Sequence, residues 1–196
     1  VFETLDTFIE SQAVQNLFPD NFVRNRADEI LRVFEWDNAF MKRGLLDAAS
    51  AEIVDSVKLR HRDDDAADII DVSEIISADF DFARARYYGQ NIFRVPFEAE
   101  IEATLDYFLL KITYYGMPEE ESDTLDIEKA DWNESYMWIR EDRTLDLSGV
   151  LAISIDIPRV ISGSPHEGID EHSVKDYSEV TLDHIDSLKI KDEFPM

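Results

Sequence analysis

The stretch VPFEAEIEATLDYFLLKITYYG, Val95 to Gly116, decides how the rest of the chain is read. Val95, Phe97, Ala99, Ile101, Ala103, Leu105, Tyr107 and Leu109 share one parity, while Glu98, Glu100, Glu102, Thr104 and Asp106 share the other. Alternation of this length is the signature of a strand with one buried and one wet face. A parallel strand covered on both sides would read as a continuous apolar run instead. The expectation is therefore an antiparallel sheet, with a strand so long that it should bend or carry a bulge. Pro96 cannot donate a ladder hydrogen bond, which predicts an edge position or a strand start there.

Downstream of this strand the alternation continues. Gly116-Met117-Pro118 closes the strand, an acidic loop follows, and strands are expected at Leu125 to Ile127 and at Trp132 to Ile139. In LDLSGVLAISIDIP, Leu151, Ile153, Ile155 and Ile157 alternate with Ala152, Ser154 and Asp156. The segment SGSPHEGIDEH reads as a surface loop, and a last strand is placed within Val180–Ile190. Upstream, YYGQN at Tyr87–Asn91 is a turn. Before it Val72, Ile76, Ala78, Phe80 and Phe82 share a parity opposite Asp71, Ser73, Asp79 and Asp81.

The first sixty residues have a different period. Leu5, Phe8, Ile9, Ala13 and Leu17 fall near one helical stripe that Pro19 stops, and Asp20 is placed to cap the next helix. Val23, Ala27, Ile30, Leu31 and Phe34 recur at steps of three and four, and a further stretch runs through Met41, Leu45, Ala49, Ile53 and Val57, with Gly44 as a weak point or boundary. Phe34, Trp36 and Phe40 are expected in the core. The period changes around KLRHRDDDAAD, Lys58 to Asp68, where a linker over residues 60–68 is expected. The reading is an α+β chain: a helical docking or connector region at 1–62, then an acidic antiparallel meander at 68–196.

Composition narrows the functions. With 196 residues and 44% apolar content the chain can bury a core. It has no cysteine, which excludes disulfides, a thiol nucleophile and thiolate metal sites and suits a reducing compartment. No apolar run approaches a membrane span and nothing reads as a signal peptide, so a cytoplasmic location is expected. The chain opens with Val1, from which a piece of a longer protein is expected. The formal charge is −25. Residues 1–62 carry 8 Lys/Arg against 11 Asp/Glu, net −3; residues 63–196 carry 11 against 33, net −22. The second part repels nucleic acid, whose binding rests on Lys and Arg. Lys58, Arg60 and Arg62 form a basic cluster, but Asp63, Asp64 and Asp65 follow at once and favour local pairing.

HEGIDEH, His166 to His172, lacks the second histidine four places on that a helical zinc peptidase motif needs, leaving only an adventitious set of His166, Glu171 and His172. DWNESYMWIRED, Asp131 to Asp142, has acceptors where a calcium loop has them, but Tyr136 stands where that loop needs glycine. Ser148-Gly149 and Ser162-Gly163-Ser164 make no nucleophile elbow, and no phosphate-binding glycine pattern occurs. Neither a catalytic residue nor a cofactor is assigned. What remains is the row Glu98, Glu100 and Glu102. Such carboxylates stand roughly 7 Å apart along a strand, too far for one metal ion without neighbouring strands. No Lys or Arg lies between Pro96 and Leu110 to neutralise them. They are a solvated face, a surface for a basic partner, or part of a dispersed acidic metal site, in that order.

Tyr107 to Lys111, Tyr114-Tyr115, and Asp131-Trp132-Asn133 with Tyr136 together resemble the β-rich C-terminal region of bacterial PIN-like proteins, a ribonuclease class. The resemblance implies that residues 20–160 are a helical connector plus a strand-rich acidic tail. The PIN active site is a cluster of acidic residues on parallel strands that binds divalent metal. This chain lacks the βαβ alternation, so no catalytic residue carries over. The implied role is that of an accessory region beside a nuclease or defence protein. Three functions follow as expectations: a non-catalytic protein-interaction domain, by docking or self-association; an acidic nucleic-acid mimic that inhibits a basic protein; and a metal-dependent hydrolase.

Overall fold

The computed structural model describes residues 23–24, 26–60, 66–123, 125–130, 133–157, 159–160 and 171–191. The helix expected over residues 3–17 and the cap at Asp20 lie outside them. Helix α1, Ala27–Glu35, places Asp28 and Glu29 in its first turn and Arg32 in its last, each favourable to the helix dipole. It buries Ile30, Val33 and Phe34, one stripe at steps of three and four. Asp37 ends the link to α2, Asn38–Glu52, and its Oδ1 accepts the Phe40 N–H at 3.0 Å, the N-cap arrangement. Met41, Leu45, Ala48 and Ala49 form the buried stripe of α2. Gly44 lies inside this helix and is no boundary. The helix stops at Glu52 rather than continuing through Val57, because Asp55 takes a left-handed backbone, φ 58°, and donates its N–H to Ile69 O at 2.9 Å. Of the three aromatics expected in the core, Phe34 is buried and its ring lies 5.8 Å from that of half-buried Phe40, but Trp36 is 73% exposed. Trp36 sits at the helix C-cap, past the buried stripe.

Among the described residues seven strands, β1 Lys58–Arg60, β2 Ala66–Phe80, β3 Arg86–Gly89, β4 Ile92–Leu110, β5 Asp126–Lys129, β6 Tyr136–Ile155 and β7 Ser178–Ile190, build one open, largely antiparallel sheet in the order β1-β2-β4-β6-β5, with β3 on β4 and β7 on β6. Strands β1, Lys58–Arg60, and β2, Ala66–Phe80, pair antiparallel with Lys58 opposite Asp68. Residues 66–68 of the expected linker are thus strand, and residues 61–65 lie outside the described residues. Lys58 Nζ meets Asp68 Oδ1 at 2.9 Å across this strand pair, whereas Asp63, Asp64 and Asp65, the partners expected for the basic cluster, lie outside the described residues. The expected parity of β2 needs correction. Ala67 and Ile69 are buried, then Val72, then Ile75, whereas Ile76 is 44% exposed, so the phase slips twice along the strand.

The turn expected over Tyr87–Asn91 is confined to Gln90 and Asn91, because Tyr87–Gly89 belong to β3, Arg86–Gly89; Gly89, Gln90 and Asn91 all take positive φ before β4, Ile92–Leu110, begins. In β4 the alternation is unbroken from Phe93 to Leu109, so the anticipated bulge leaves no trace in its phase. Pro96 lies inside the strand rather than at its start. Its carbonyl accepts the Asp81 N–H at 2.9 Å where β2 has ended and β3 has not begun, so its missing N–H costs no ladder bond to either. After Leu110 the chain does not remain extended to Gly116. Lys111–Gly116 is one helical turn, α3, followed by α4, Glu119–Ser122, and β5, Asp126–Lys129. The two strands expected between Trp132 and Ile157 are one, β6, Tyr136–Ile155. Helix α5, Glu171–Asp176, precedes β7, Ser178–Ile190, the expected last strand.

Two compact units divide the chain. The first takes residues 1–45, 80–97 and 150–184, with a core that includes Phe34, Met41, Leu45, Phe93, Val95, Ile153 and Val174. In it α1 packs on α5, and Lys175 Nζ meets Asp37 Oδ2 at 2.8 Å. The second takes residues 46–79, 98–149 and 185–196, with Ile69, Ile101, Leu105, Leu109, Ile139 and Leu145 at its centre.

Asp37 holds a helix cap and an interhelical ion pair at once. The Lys175 hydrogen bond, then the Phe40 N–H, hold its carboxyl below the usual value of 3.8. A depressed folded value gives stability that is present above the unfolded value and lost as pH falls through the folded one. Asp37→Ala should cost about 1–2 kcal/mol, mostly from the cap. Asp37→Asn, which keeps an acceptor, should cost less and should flatten the stability profile below about pH 4. Denaturant titration against pH checks both.

Candidate acidic interaction face

Strand β4 sends Glu98, Glu100, Glu102, Thr104 and Asp106 to the side opposite its buried row. The far end of that row is engaged by the neighbouring strand β6: Trp138 Nε1 donates to Asp106 Oδ1, and Thr104 Oγ1 donates to Asp142 Oδ1 at 2.7 Å. Toward Glu98 the row opens. Glu98 is exposed, Glu100 and Glu102 are half-buried, and among the described residues no ion pair engages Glu98 or Glu102.

Here the outward rows of several strands of the second unit converge on a groove of about 590 Å³. Asp79 from β2, Glu98 and Glu100 from β4 and Asp146 from β6 line it with carboxylates. Ser77, Ser148 and Ser187 supply hydroxyls between them. The groove is open rather than enclosed, so water and a solute can reach its carboxylates.

One cation enters this face, and sequence reasoning missed it. Lys191 follows the last residue of β7, its backbone N–H donating to Thr144 O at 2.9 Å, and its Nζ donates to Glu100 Oε1. The Glu100 hydrogen bond, with the charges of Glu100 and Asp146, raises the Lys191 pKa above 10.5, so it stays cationic. The absence of Lys and Arg between Pro96 and Leu110 therefore did not mean an absence of neutralisation. It comes from a residue 91 positions away in the chain. The alternation had placed Asp79 outward, but strand neighbours, and hence the meeting of Asp79 and Asp146 with Glu98, are not readable from one sequence.

The other motifs find structural uses. Asn133 Oδ1 accepts the N–H groups of Ser135 and Tyr136, both at 2.8 Å, so an acceptor of the calcium-like stretch initiates β6 instead. Glu171 and His172 are exposed on α5, while His166 lies outside the described residues. Among the described residues no three His, Asp or Glu side chains are placed to hold one metal ion. No described helix is long and apolar enough to cross a membrane. No family model, curated protein or solved structure matches the chain.

Proposed function

We propose that the chain is a non-catalytic protein-interaction domain that receives a basic partner on the outward face of its sheet. The groove carries this reading: Asp79, Glu98, Glu100 and Asp146 come from three strands to one open site, and one of these carboxylates, Glu100, already accepts an ammonium group, that of Lys191. Open carboxylates of this kind steer and orient a cationic surface, and the flanking serines offer it hydrogen bonds. The resemblance to the accessory region of PIN-like proteins supplies a setting, a domain that accompanies a nuclease or defence protein.

A second reading follows from the row along β4. Glu98, Glu100 and Glu102 at roughly 7 Å spacing present a line of charge similar to a phosphate backbone, which suits an inhibitor occupying the nucleic-acid groove of a basic protein. The two readings separate experimentally. A mimic is displaced by duplex DNA and loses affinity in Glu98→Lys/Glu102→Lys. A groove-bound partner is indifferent to DNA and responds to Glu98→Lys/Asp146→Lys. Lys191→Ala, which removes the internal cation, should tighten a groove-bound partner several-fold and leave a mimic's target less affected. Titration calorimetry with the purified partner at about 50 and 500 mM salt checks all of these.

A further inference from the structure

The turn that follows β4 carries apolar side chains to solvent. None of the six residues of α3 is buried; Ile112 is 81% exposed, Tyr115 74%, and Phe108, on the outward row at the end of β4, 42%. A spacing of three puts Ile112 and Tyr115 on one side of the turn. Tyr115 also stands edge-on to Tyr114, ring centroids 5.5 Å apart. Ile112 gains nothing from burial here, and exposed apolar side chains that share one side of a turn suit a contact surface.

The surrounding charge selects the occupant. Helix α4 begins three residues after α3 ends, and Glu119, Glu120 and Asp123 are all exposed on and beside it. Asp123 N–H to Glu119 O and Ser122 N–H to Pro118 O, each 3.0 Å, hold this acidic turn in place. Lys111, the cation of α3, is half-buried and already engaged. A second copy would bring this rim, on a chain of formal charge −25, against itself. Nucleic acid and anionic lipid are repelled by the same charge.

We propose that Phe108, Ile112 and Tyr115 form a docking site for a cationic amphipathic segment of another protein. Apolar side chains of that segment cover Ile112 and Tyr115, and its Lys or Arg residues meet Glu119, Glu120 and Asp123. The site shares no residue with the groove; it rests only on the reading of the chain as a protein-interaction domain.

The probes are two fluorescent peptides of equal positive charge, one an amphipathic Leu/Lys sequence and one a Ser/Lys sequence, followed by anisotropy. The full chain should bind the Leu/Lys peptide about tenfold tighter or more. Ile112→Ser/Tyr115→Ser should remove that difference while the melting temperature stays unchanged, since both side chains are exposed. Glu119→Gln/Glu120→Gln should weaken the Leu/Lys peptide and flatten its salt dependence. Glu98→Lys/Asp146→Lys should leave the difference between peptides in place, so a failure of the groove reading is distinguishable from a failure here. Equal affinity for the two peptides overturns the proposal, as does a preference that survives Ile112→Ser/Tyr115→Ser. So does concentration-dependent dimerisation abolished by that variant, which would make a second copy the occupant.

Discussion

Glu141→Ala should destabilise the protein by about 3–5 kcal/mol, the range for breaking a buried ion pair by removing one partner. Glu141 lies on the inward row of β6 between Ile139 and Leu145, and it is 5% exposed. Its Oε1 accepts the Tyr107 hydroxyl at 2.9 Å, and its Oε2 meets Arg143 Nη2 at 3.0 Å. Alanine removes the acceptor for both and leaves a void among apolar side chains. Glu141→Gln keeps the shape and an acceptor but not the charge, and should cost about 1–3 kcal/mol. Glu141→Leu with Tyr107→Phe should cost less than the sum of the single changes, because the paired replacement leaves no buried hydroxyl without its acceptor. Shifts in the denaturant midpoint measure each. A cost near zero for Glu141→Ala would mean that the cluster does not hold β4 and β6 together.

Gly44→Ala should also destabilise, by about 1–3 kcal/mol, against the direction that helix propensity alone predicts. A mid-helix glycine is ordinarily about 1 kcal/mol worse than alanine. At Gly44 an added Cβ would stand 2.6 Å from Val180 Cβ and 2.8 Å from its Cγ2. Val180 is β-branched and its Cβ is fixed to the backbone of β7, so the strand or the helix must move. The glycine therefore permits close approach of α2 to β7. Val180→Ala relieves only the Cγ contacts, whereas Val180→Gly removes the Cβ as well. The Gly44→Ala/Val180→Gly pair should show a favourable coupling in a double-mutant cycle. Thermal melts of the four proteins give it, and a stabilising Gly44→Ala would contradict the packing described.

These two sites show what the sequence conveyed and what it withheld. The period-two pattern in Val95–Leu109 identified a strand with one wet face, and Leu151–Ile155 did the same for β6, although the strand ends there and does not reach Ile157. Such patterns are local, so they survive without knowledge of neighbours. Gly44 carried an ambiguous signal. Glycine weakens a helix, so a boundary was a fair expectation, and only the position of Val180 explains why glycine stands inside α2. Glu141 gave no signal, because an inward glutamate in an alternating strand looks like a break in the pattern until Tyr107 and Arg143 are placed beside it. The slips of phase in β2 and the helical turn at Lys111 gave no local signal either.

The candidate face follows the same division. Glu98, Glu100 and Glu102 were visible as a row, and their outward direction is a property of β4 alone. The groove is a property of strand order, and Lys191 reaches it only because β7 runs alongside β6. Charge on one strand became a site through residues distant in sequence.

The most direct measurement is affinity capture with the wild-type chain and with Glu98→Lys/Asp146→Lys, at about 50 and 500 mM salt, followed by titration of the retained protein after purification. The wild type should hold one basic protein, with affinity that falls about tenfold or more in the variant and is restored in part by lowering the salt. A retained protein whose affinity is the same for both chains, or an acidic one, would contradict the proposed function.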